Sequence, residues 1–370
     1  MRFTVSQSSL AKALSVVSKG IATHSTIPVL GGVLMKAANG TLEMQASDLD
    51  TSIRHKIPAN VEEEGETVLS GKMLNSIVKN LSDAAVTFDG GEGTISLACD
   101  KSTFHLNTLN PQDFPSFPPI EMATGGHVDL EGDLLSKMVD KVYKVTSRDT
   151  SRPILAGILL NVEQNLVRLV ATDSYRLVVC DANTETPELD ETFEMIIPGT
   201  VFHDVLSLPR DVDKITIGAT NNQVAFVFGN TTYVSRRIEG NFPNYKQLLP
   251  STCLTSVKVQ VGELAAALRR VSSIATSNSS VRFDVDADGS QVTLSSTSPD
   301  QGDAREVMNV EVEGQPNSIC MNYRYVGDCV GALDAASEVT LELQESMRPG
   351  VFKNYGKDMN YLYLLMPVRM

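Results

Sequence analysis

The chain has 370 residues, 42% of them apolar, with a net charge of −14. That length exceeds what one hydrophobic core supports, so two or three domains are expected, and no apolar run approaches the roughly 20 residues of a membrane span. The acidic balance counts against nucleic acid, whose phosphates are held by clustered Lys and Arg, unless the basic residues are segregated.

The chain opens "MRFTVSQSSLAKALSVVSKG", an amphipathic pattern without the apolar core of a signal peptide, and a cytoplasmic protein is expected. Leu10, Leu14 and Val17 form the i, i+4, i+7 stripe of a first helix. Next come "TIPVLGGVLM" (26–35) and "ASDLD" (46–50), then a second helical stretch, "GKMLNSIVKNL" (71–81). In "AVTFDGGEGTISLACD" the central Gly-Gly is hairpin turn chemistry between antiparallel strands. The series then repeats. Pro28, Leu30 and Gly32 recur as Pro153, Leu155 and Gly157, an offset of 125, and "ASDLD" recurs at the same offset as "ATDSY" (171–175). "FPSF" (114–117) returns as "FPNY" (242–245), 128 residues on.

A third copy is fainter. The first-helix stripe recurs as Leu135, Val139, Val142 and as Leu264, Leu268, Val271, while "LSSTSPD" (294–300) stands where "LVATDSY" (169–175) would fall. Each unit is itself doubled, with second helical stretches at 71–81, 199–208 and 322–333. One helix followed by strands, six times over, predicts an α+β chain of three similar domains, 1–125, 126–252 and 253–370, each with two helices packed on antiparallel sheets. The closing "YLYLLMPVRM" (361–370) is apolar at eight of ten positions and reads as the last strand of the third copy.

Charge is segregated between helices and the rest. Stretches 8–20, 71–82 and 133–148 carry +2 each, 263–275 carries +1, and 199–210 and 322–333 sum to zero. Together they hold +7 and leave −21 elsewhere, against the net −14. Opposite the apolar stripes or at helix ends stand Lys12, Lys19, Lys72, Lys79, Lys137, Lys141, Lys144, Arg148, Arg269 and Arg270. On one helix, lysines opposite an apolar stripe are an ordinary solvated face. Six such helices on one concave surface would make it positive inside an acidic exterior, able to surround DNA without adhering strongly.

The strings "RPILAGILL", "ATDSYRLVV", "RRIEGNFPNYKQLLP" and "LLMPVRM" closely resemble the bacterial DNA polymerase III beta subunits, the sliding clamps, and the resemblance runs the length of the chain in order. It implies the DNA clamp fold, a head-to-tail homodimer forming a ring around duplex DNA, and a non-catalytic processivity factor without cofactor or metal. Implied partners are the replicative polymerase, the clamp loader, and other polymerases and repair proteins bound through short linear motifs. No membrane is involved, and association with the nucleoid is expected during replication.

The resemblance further implies a partner-peptide cleft. Its walls would be Arg152, Leu155, Thr172, Ser174, Tyr175, Arg176 and Leu177, then Pro243, Gln247 and Leu248. Asn322, Tyr325, Met347, Leu364, Met366, Pro367, Val368 and Arg369 complete it. Leucines, methionines and prolines suit an adaptable apolar groove, and Arg176, Arg369 and Asn322 would satisfy the peptide's backbone or carboxylates. Where many family members have Gly-His-Arg this chain has Ser174-Tyr175-Arg176, and Gln247 replaces a second arginine, so its preferred peptide would differ. The dimer contact implied would set Phe104 and Leu106 against Ile274 and Ala275, with Asp300, Asp303 and Glu306 facing Lys72 or Lys101. Ala275 is small, and each lost methylene removes about 0.8 kcal/mol, so a weaker dimer is expected. His24, in "ATHSTIP", matches a loop that touches DNA or is a plain solvated histidine.

Catalytic readings fail on spacing. "GETVLSGKM" (65–73) has five residues between its glycines and Met73 where a phosphate loop needs Ser or Thr. "DVDADG" (284–289) begins like a calcium loop but has Ser295 at the twelfth position, and a hairpin turn explains it better. The five histidines and five cysteines lack metal-ligand spacing, and there is no nucleophile elbow; the cysteines read as buried thiols. The rival to a clamp is a monomeric peptide-binding scaffold, which has no need of basic helices.

Overall fold

The computed structural model describes every residue except 121–125, 150, 185–191, 221, 276–278, 346 and 370. One pattern of strand, helix and three more strands occurs six times among the described residues. The first copy is β1 (Arg2–Ser6), α1 (Gln7–Val17), β2 (Gly32–Ala38), β3 (Thr41–Ser47) and β4 (Thr51–Pro58), with a short β5 (Asn60–Glu63) after it. The second is β6 (Gly65–Ser70), α2 (Gly71–Lys79), β7 (Ala85–Gly90), β8 (Thr94–Cys99) and β9 (Ser102–Asn107). The third is β10 (His127–Glu131), α3 (Gly132–Val142), β11 (Gly157–Glu163), β12 (Leu166–Thr172) and β13 (Arg176–Asn183). The fourth is β14 (Phe193–Pro198), α4 (Gly199–Leu206), β15 (Lys214–Ala219), β16 (Gln223–Phe228) and β17 (Thr231–Arg236). The fifth is β18 (Thr255–Gln260), α5 (Val261–Ser272), β19 (Ser280–Asp286), β20 (Gln291–Ser298) and β21 (Gly302–Asn309), followed by a short β22 (Glu311–Gly314). The sixth is β23 (Asn317–Asn322), α6 (Tyr323–Val330), β24 (Glu338–Leu343), β25 (Gly350–Tyr355) and β26 (Met359–Leu365).

The six helices fall where their apolar stripes place them, but the strand that precedes each one is not evident from pattern. In β1 only Phe3 and Val5 are buried, too short an alternation to register, and the strand runs into the helix without a loop. Ser6 ends that strand and caps α1 at once, its Oγ accepting from the Ser9 amide at 3.2 Å. Leu10, Ala13, Leu14 and Val17 of α1 are then buried against β3 and β4.

Each leading strand crosses to its sister copy, so that β1 pairs with β7 and β6 with β2, β10 with β15 and β14 with β11, β18 with β24 and β23 with β19. All these pairings are antiparallel. The chain divides into two compact units, Met1–Asp133 with Val201–Arg237 and Leu134–Thr200 with Ile238–Met370. The first unit holds sheets ordered β5-β1-β7-β8-β9 and β10-β15-β16-β17-β4-β3-β2-β6. The second holds β14-β11-β12-β13-β26-β25-β24-β18-β22 and β21-β20-β19-β23. The long sheets arise because the last strands of two copies pair, β17 with β4 in one unit and β13 with β26 in the other. Compact units and sequence repeats therefore have different boundaries.

Candidate partner cleft and basic helices

The β13–β26 junction carries several of the residues expected at the cleft. Arg176 pairs with Leu365, Leu177 with Leu364 and Val178 with Tyr363, and alternation sends Arg176 and Tyr363 to one face and Leu177 and Leu364 to the other. On the second face Leu177, Val179, Leu364, Leu159, Val170 and Ile196 form an apolar cluster, over which Tyr245 and Phe242 of the connecting segment pack. Leu155, Thr172, Leu177 and Leu364 are buried, so they are floor and not lining. Four of the large apolar side chains expected at the cleft stand in solvent: Tyr175 is 60% exposed, Leu248 55%, Met347 51% and Met366 43%. Exposed apolar groups of this size on one set of loops mark a surface that gains by being covered.

The tail after β26 is tied down by backbone. The Met366 amide donates to the Tyr175 carbonyl at 2.9 Å, and the Val368 amide to the Cys320 carbonyl at 2.8 Å. Ser174, at a φ of 79°, turns the loop so that Tyr175 projects outward. Its hydroxyl accepts from Arg152 Nη1 at 2.9 Å, and Arg152 Nε also reaches Asp149 at 3.0 Å. Pro243 and Gln247 are exposed on the connecting segment, as is Arg369 beyond the strand.

Arg176 has a different task from the one expected. Only 7% exposed, its Nε donates to Asp173 at 2.9 Å, Nη1 to Asp328 at 2.6 Å and to the Tyr363 hydroxyl at 3.1 Å, and Nη2 to the Lys144 carbonyl at 2.7 Å. Its guanidinium carbon lies 4.2 Å from the Tyr325 ring centroid, and the Tyr363 hydroxyl in turn donates to the Tyr325 carbonyl at 3.0 Å. Burial opposes the charge, but Tyr363, Asp328 and Asp173 outweigh it and hold the guanidinium above its ordinary pKa. Arg176 thus ties β13, β26, α6 and the end of α3 together, spending four of its five N–H donors inside the protein. Asn322 is similarly engaged, its Oδ1 capping α6 at the Arg324 amide, 2.9 Å away. Of the three polar groups assigned to hold peptide, Arg369 keeps an exposed side chain.

Behind this network, on the helix side, a recess of about 1010 Å3 brings Lys144 and Arg148, expected at DNA, beside Arg152, Tyr175 and Tyr325, expected at the cleft. The other basic residues divide by partner. Lys12, Lys72, Lys79, Lys137, Arg269 and His24 are exposed. Lys19 reaches Asp204 at 3.0 Å. Two depart from the expected channel role: Lys141 donates to the Ala332 carbonyl at 2.5 Å, tying α3 to the end of α6, and Arg270 is bound by Glu306. That pair also removes Glu306 from the acids expected to face Lys72 or Lys101.

Phe104, Leu106, Asp300 and Asp303 of the expected dimer contact lie at two sheet edges. Among the described residues β9 pairs with β8 alone and β21 with β20 alone. Phe104 is half-buried and Leu106 buried on β9; Asp300 and Asp303 are exposed at β21. Ile274 is half-buried and Ala275 has no exposed surface, because the turn after α5 folds it inward. A residue without surface contributes nothing to a dimer contact, so the expectation of a weak dimer from its small size falls. Sequence reasoning also missed Asp328, Tyr363 and Asp173, which hold Arg176, and the bidentate Arg168–Asp181 pair, 2.8 Å at both oxygens, beside Tyr245. The doubled "FPSF" and "FPNY" was the available signal for the connecting segment, since Phe114 and Phe242 both anchor such segments on apolar clusters. Among the described residues there is no cluster of potential metal ligands and no helix long and apolar enough to cross a membrane.

Comparison with known proteins covers the whole chain. Models of the DNA polymerase III beta subunit match in order, the N-terminal domain at residues 1–118, the central domain at 129–244 and the C-terminal domain at 246–369. A beta sliding clamp homolog, GriR, from Streptomyces muensis is 30% identical over 376 residues, covering 100% of this chain and 99% of that protein. The crystal structure of the DNA polymerase sliding clamp from Bacillus subtilis superposes with a TM-score of 0.93 at 28% identity, over 100% of this chain and 99% of that one. A Pseudomonas aeruginosa sliding clamp bound to griselimycin has a TM-score of 0.92 at 24% identity, over 100% of both chains.

Proposed function

The chain belongs to the DNA polymerase III beta subunit family, and on that premise we propose that it is a DNA sliding clamp, a non-catalytic processivity factor that closes head to tail with a second copy into a ring around duplex DNA. The observation that carries ring closure is a pattern of edges. The last strands of the first and fourth copies, β4 and β17, and of the third and sixth, β13 and β26, pair within the chain, and the two remaining last strands, β9 and β21, end their sheets among the described residues. A second copy offers each edge the partner it lacks, and unprotected edges of this kind are otherwise aggregation sites. The domains are 1–125, 126–252 and 253–370.

Positive helices suit a channel that slides, because contacts to phosphates and water carry no sequence information. The replicative polymerase, the loader and repair proteins dock short linear motifs on the apolar rim of Tyr175, Leu248, Met347 and Met366, with Pro243, Gln247, Pro367, Val368 and Arg369 around it. The setting is the cytoplasm, at the nucleoid. Retention on circular DNA after loading tests the reading. A closed ring stays on the circle at high salt and leaves once the circle is linearised, whereas equal loss from circle and line would end the clamp reading.

A further inference from the structure

The segment that joins β17 to β18 carries Pro243, Gln247 and Leu248 of the rim, and little backbone holds it in place. Among the described residues its hydrogen bonds to the sheets lie at its ends, where the Ile238 amide donates to the Ile196 carbonyl at 3.0 Å and Gln344 Nε2 to the Thr252 carbonyl at 2.8 Å. Between these the backbone bonds are internal, the Tyr245 amide to the Pro243 carbonyl at 2.7 Å and the Gln247 amide to the Asn244 carbonyl at 3.4 Å. Phe242, Tyr245 and Leu249 press on the apolar cluster. Apolar contact has no direction, so it sets how deep the segment lies and not how it is turned.

One polar contact supplies that direction. Arg168 and Asp181 stand opposite one another on β12 and β13, and Arg168 Nε and Nη2 donate to the two Asp181 oxygens at 2.8 Å each. The bidentate pair fixes the guanidinium plane and leaves three of its five N–H donors. Burial raises the pKa of the Tyr245 phenol, and the Arg168 guanidinium, by its charge and a side-chain hydrogen bond, acts the other way. Arg168, Asp181 and Tyr245 line one cavity of about 290 Å3. The first repeat is the internal control. At the offset of 125, Arg168 and Asp181 correspond to Glu43 and Lys56, which pair at 3.1 Å with the charges reversed. At the offset of 128, Tyr245 corresponds to Phe117, whose ring is held by Arg54, the guanidinium carbon 4.4 Å from its centroid. The phenol occurs where the pair has an arginine on the third strand of its copy, and is missing where it has a carboxylate there.

We propose that Arg168, fixed by Asp181, is a positioning residue for peptide binding: by holding the Tyr245 hydroxyl it sets the place of Gln247 and Leu248 on the rim. This rests on the docking of motifs proposed above and goes further by naming the group that sets one wall of the dock. Tyr245 opens a single turn of 3-10 helix and Leu248 closes it. A change in how the buried Tyr245 sits therefore moves Leu248, which stands 55% exposed at the other end of the turn.

The chain has no tryptophan, so Leu248→Trp places a single indole on the rim, and its fluorescence anisotropy reads how firmly the turn is held. Tyr245→Phe removes the hydroxyl and keeps the ring packing, while Arg168→Lys keeps a charge opposite Asp181 and loses the planar fork. Each should lower the anisotropy of the indole with no peptide present. Affinity is measured in the protein without the indole, using a synthetic peptide of the replicative polymerase selected from an overlapping set by its binding to the unmodified protein. Each variant should bind it about fivefold more weakly, the worth of one hydrogen bond, and the double variant no more weakly than either. The Tm of the second unit should change little in Tyr245→Phe, which separates positioning from a merely structural role. Anisotropy or affinity unchanged in Tyr245→Phe, or losses that multiply in the double variant, overturn the positioning role. If no peptide of the set binds the unmodified protein, the docking reading falls instead, and an anisotropy that still drops in both variants leaves Arg168 as the holder of the turn.

Discussion

The β4–β17 and β13–β26 junctions have the same strands and register but different chemistry. Where β13–β26 has Leu177 and Leu364 over an apolar cluster, β4–β17 has Ser52 and Val234. Where Tyr175 and Met366 project apolar surface, the corresponding Asp50 and Arg236 close on one another in an exposed ion pair at 3.1 Å. Thr51 takes the place of Arg176 and makes a 3.3 Å hydroxyl contact with Ser235 in place of a network that spans four elements. The backbone builds the same frame at both junctions, and side chains at about six positions give one of them the exposed apolar rim proposed to bind peptide.

The largest effect should come from Arg176. Replacing it with Ala leaves Asp328 and Asp173 without their cation in a mostly buried setting, a loss of about 3–5 kcal/mol. For a unit of this size that is a fall of roughly 10 °C in the Tm of the second unit, Leu134–Thr200 with Ile238–Met370, read by calorimetry. Arg176→Lys should recover little, since one ammonium cannot reach Asp173, Asp328 and the Lys144 carbonyl together. Thr51→Ala at the matching position should move the first unit's transition far less. Equal shifts from the two variants would erase the distinction drawn between the junctions.

Next in size is the apolar rim. Removing residues 366–370 takes away Met366 and Val368 together with two backbone bonds on the Tyr175 loop and β23. Affinity for a polymerase-derived peptide should drop about a hundredfold or more, the worth of two truncated anchors, with dimerisation unchanged because β9 and β21 lie elsewhere. Isothermal titration with a fluorescently silent peptide reads the first and sedimentation the second. Normal binding by the truncated protein would reduce the tail to a strand terminus.

Repetition made much of the fold legible in the sequence, because a stripe such as Leu264, Leu268, Val271 matters more once it is the third of its kind. Hairpin turns and the terminal strand followed from local pattern. The leading strands did not, since two buried residues in five give no period, and their exchange between sister copies depends on tertiary pairing alone. Family likeness named residues that the fold sets around the β13–β26 junction, such as Tyr175, Leu177, Leu364 and Met366, but could not apportion their roles. Arg176 looks like a peptide-binding cation in the sequence, and only the four groups around it make it structural. Ala275 looks like a contact, and only its burial removes it.

The smallest effect should be a pH dependence at the β4–β17 junction. His55 on β4 pairs with Thr231 on β17, its Nδ1 lying 2.8 Å from the Thr231 hydroxyl. Burial lowers its pKa, with Asp211 acting weakly the other way. A histidine that resists protonation in the folded state lets the unfolded chain take up the proton first, so stability is full above the unfolded pKa of about 6.5 and declines as pH falls from there towards the folded value. The first unit's Tm should therefore drop between pH 7.5 and 5, and His55→Gln, which keeps a polar group toward Thr231, should flatten that slope. Arg176 stays charged across this range, so the second unit's junction should not follow; a parallel decline in both units, unaltered in the glutamine variant, would assign the pH response to groups other than His55.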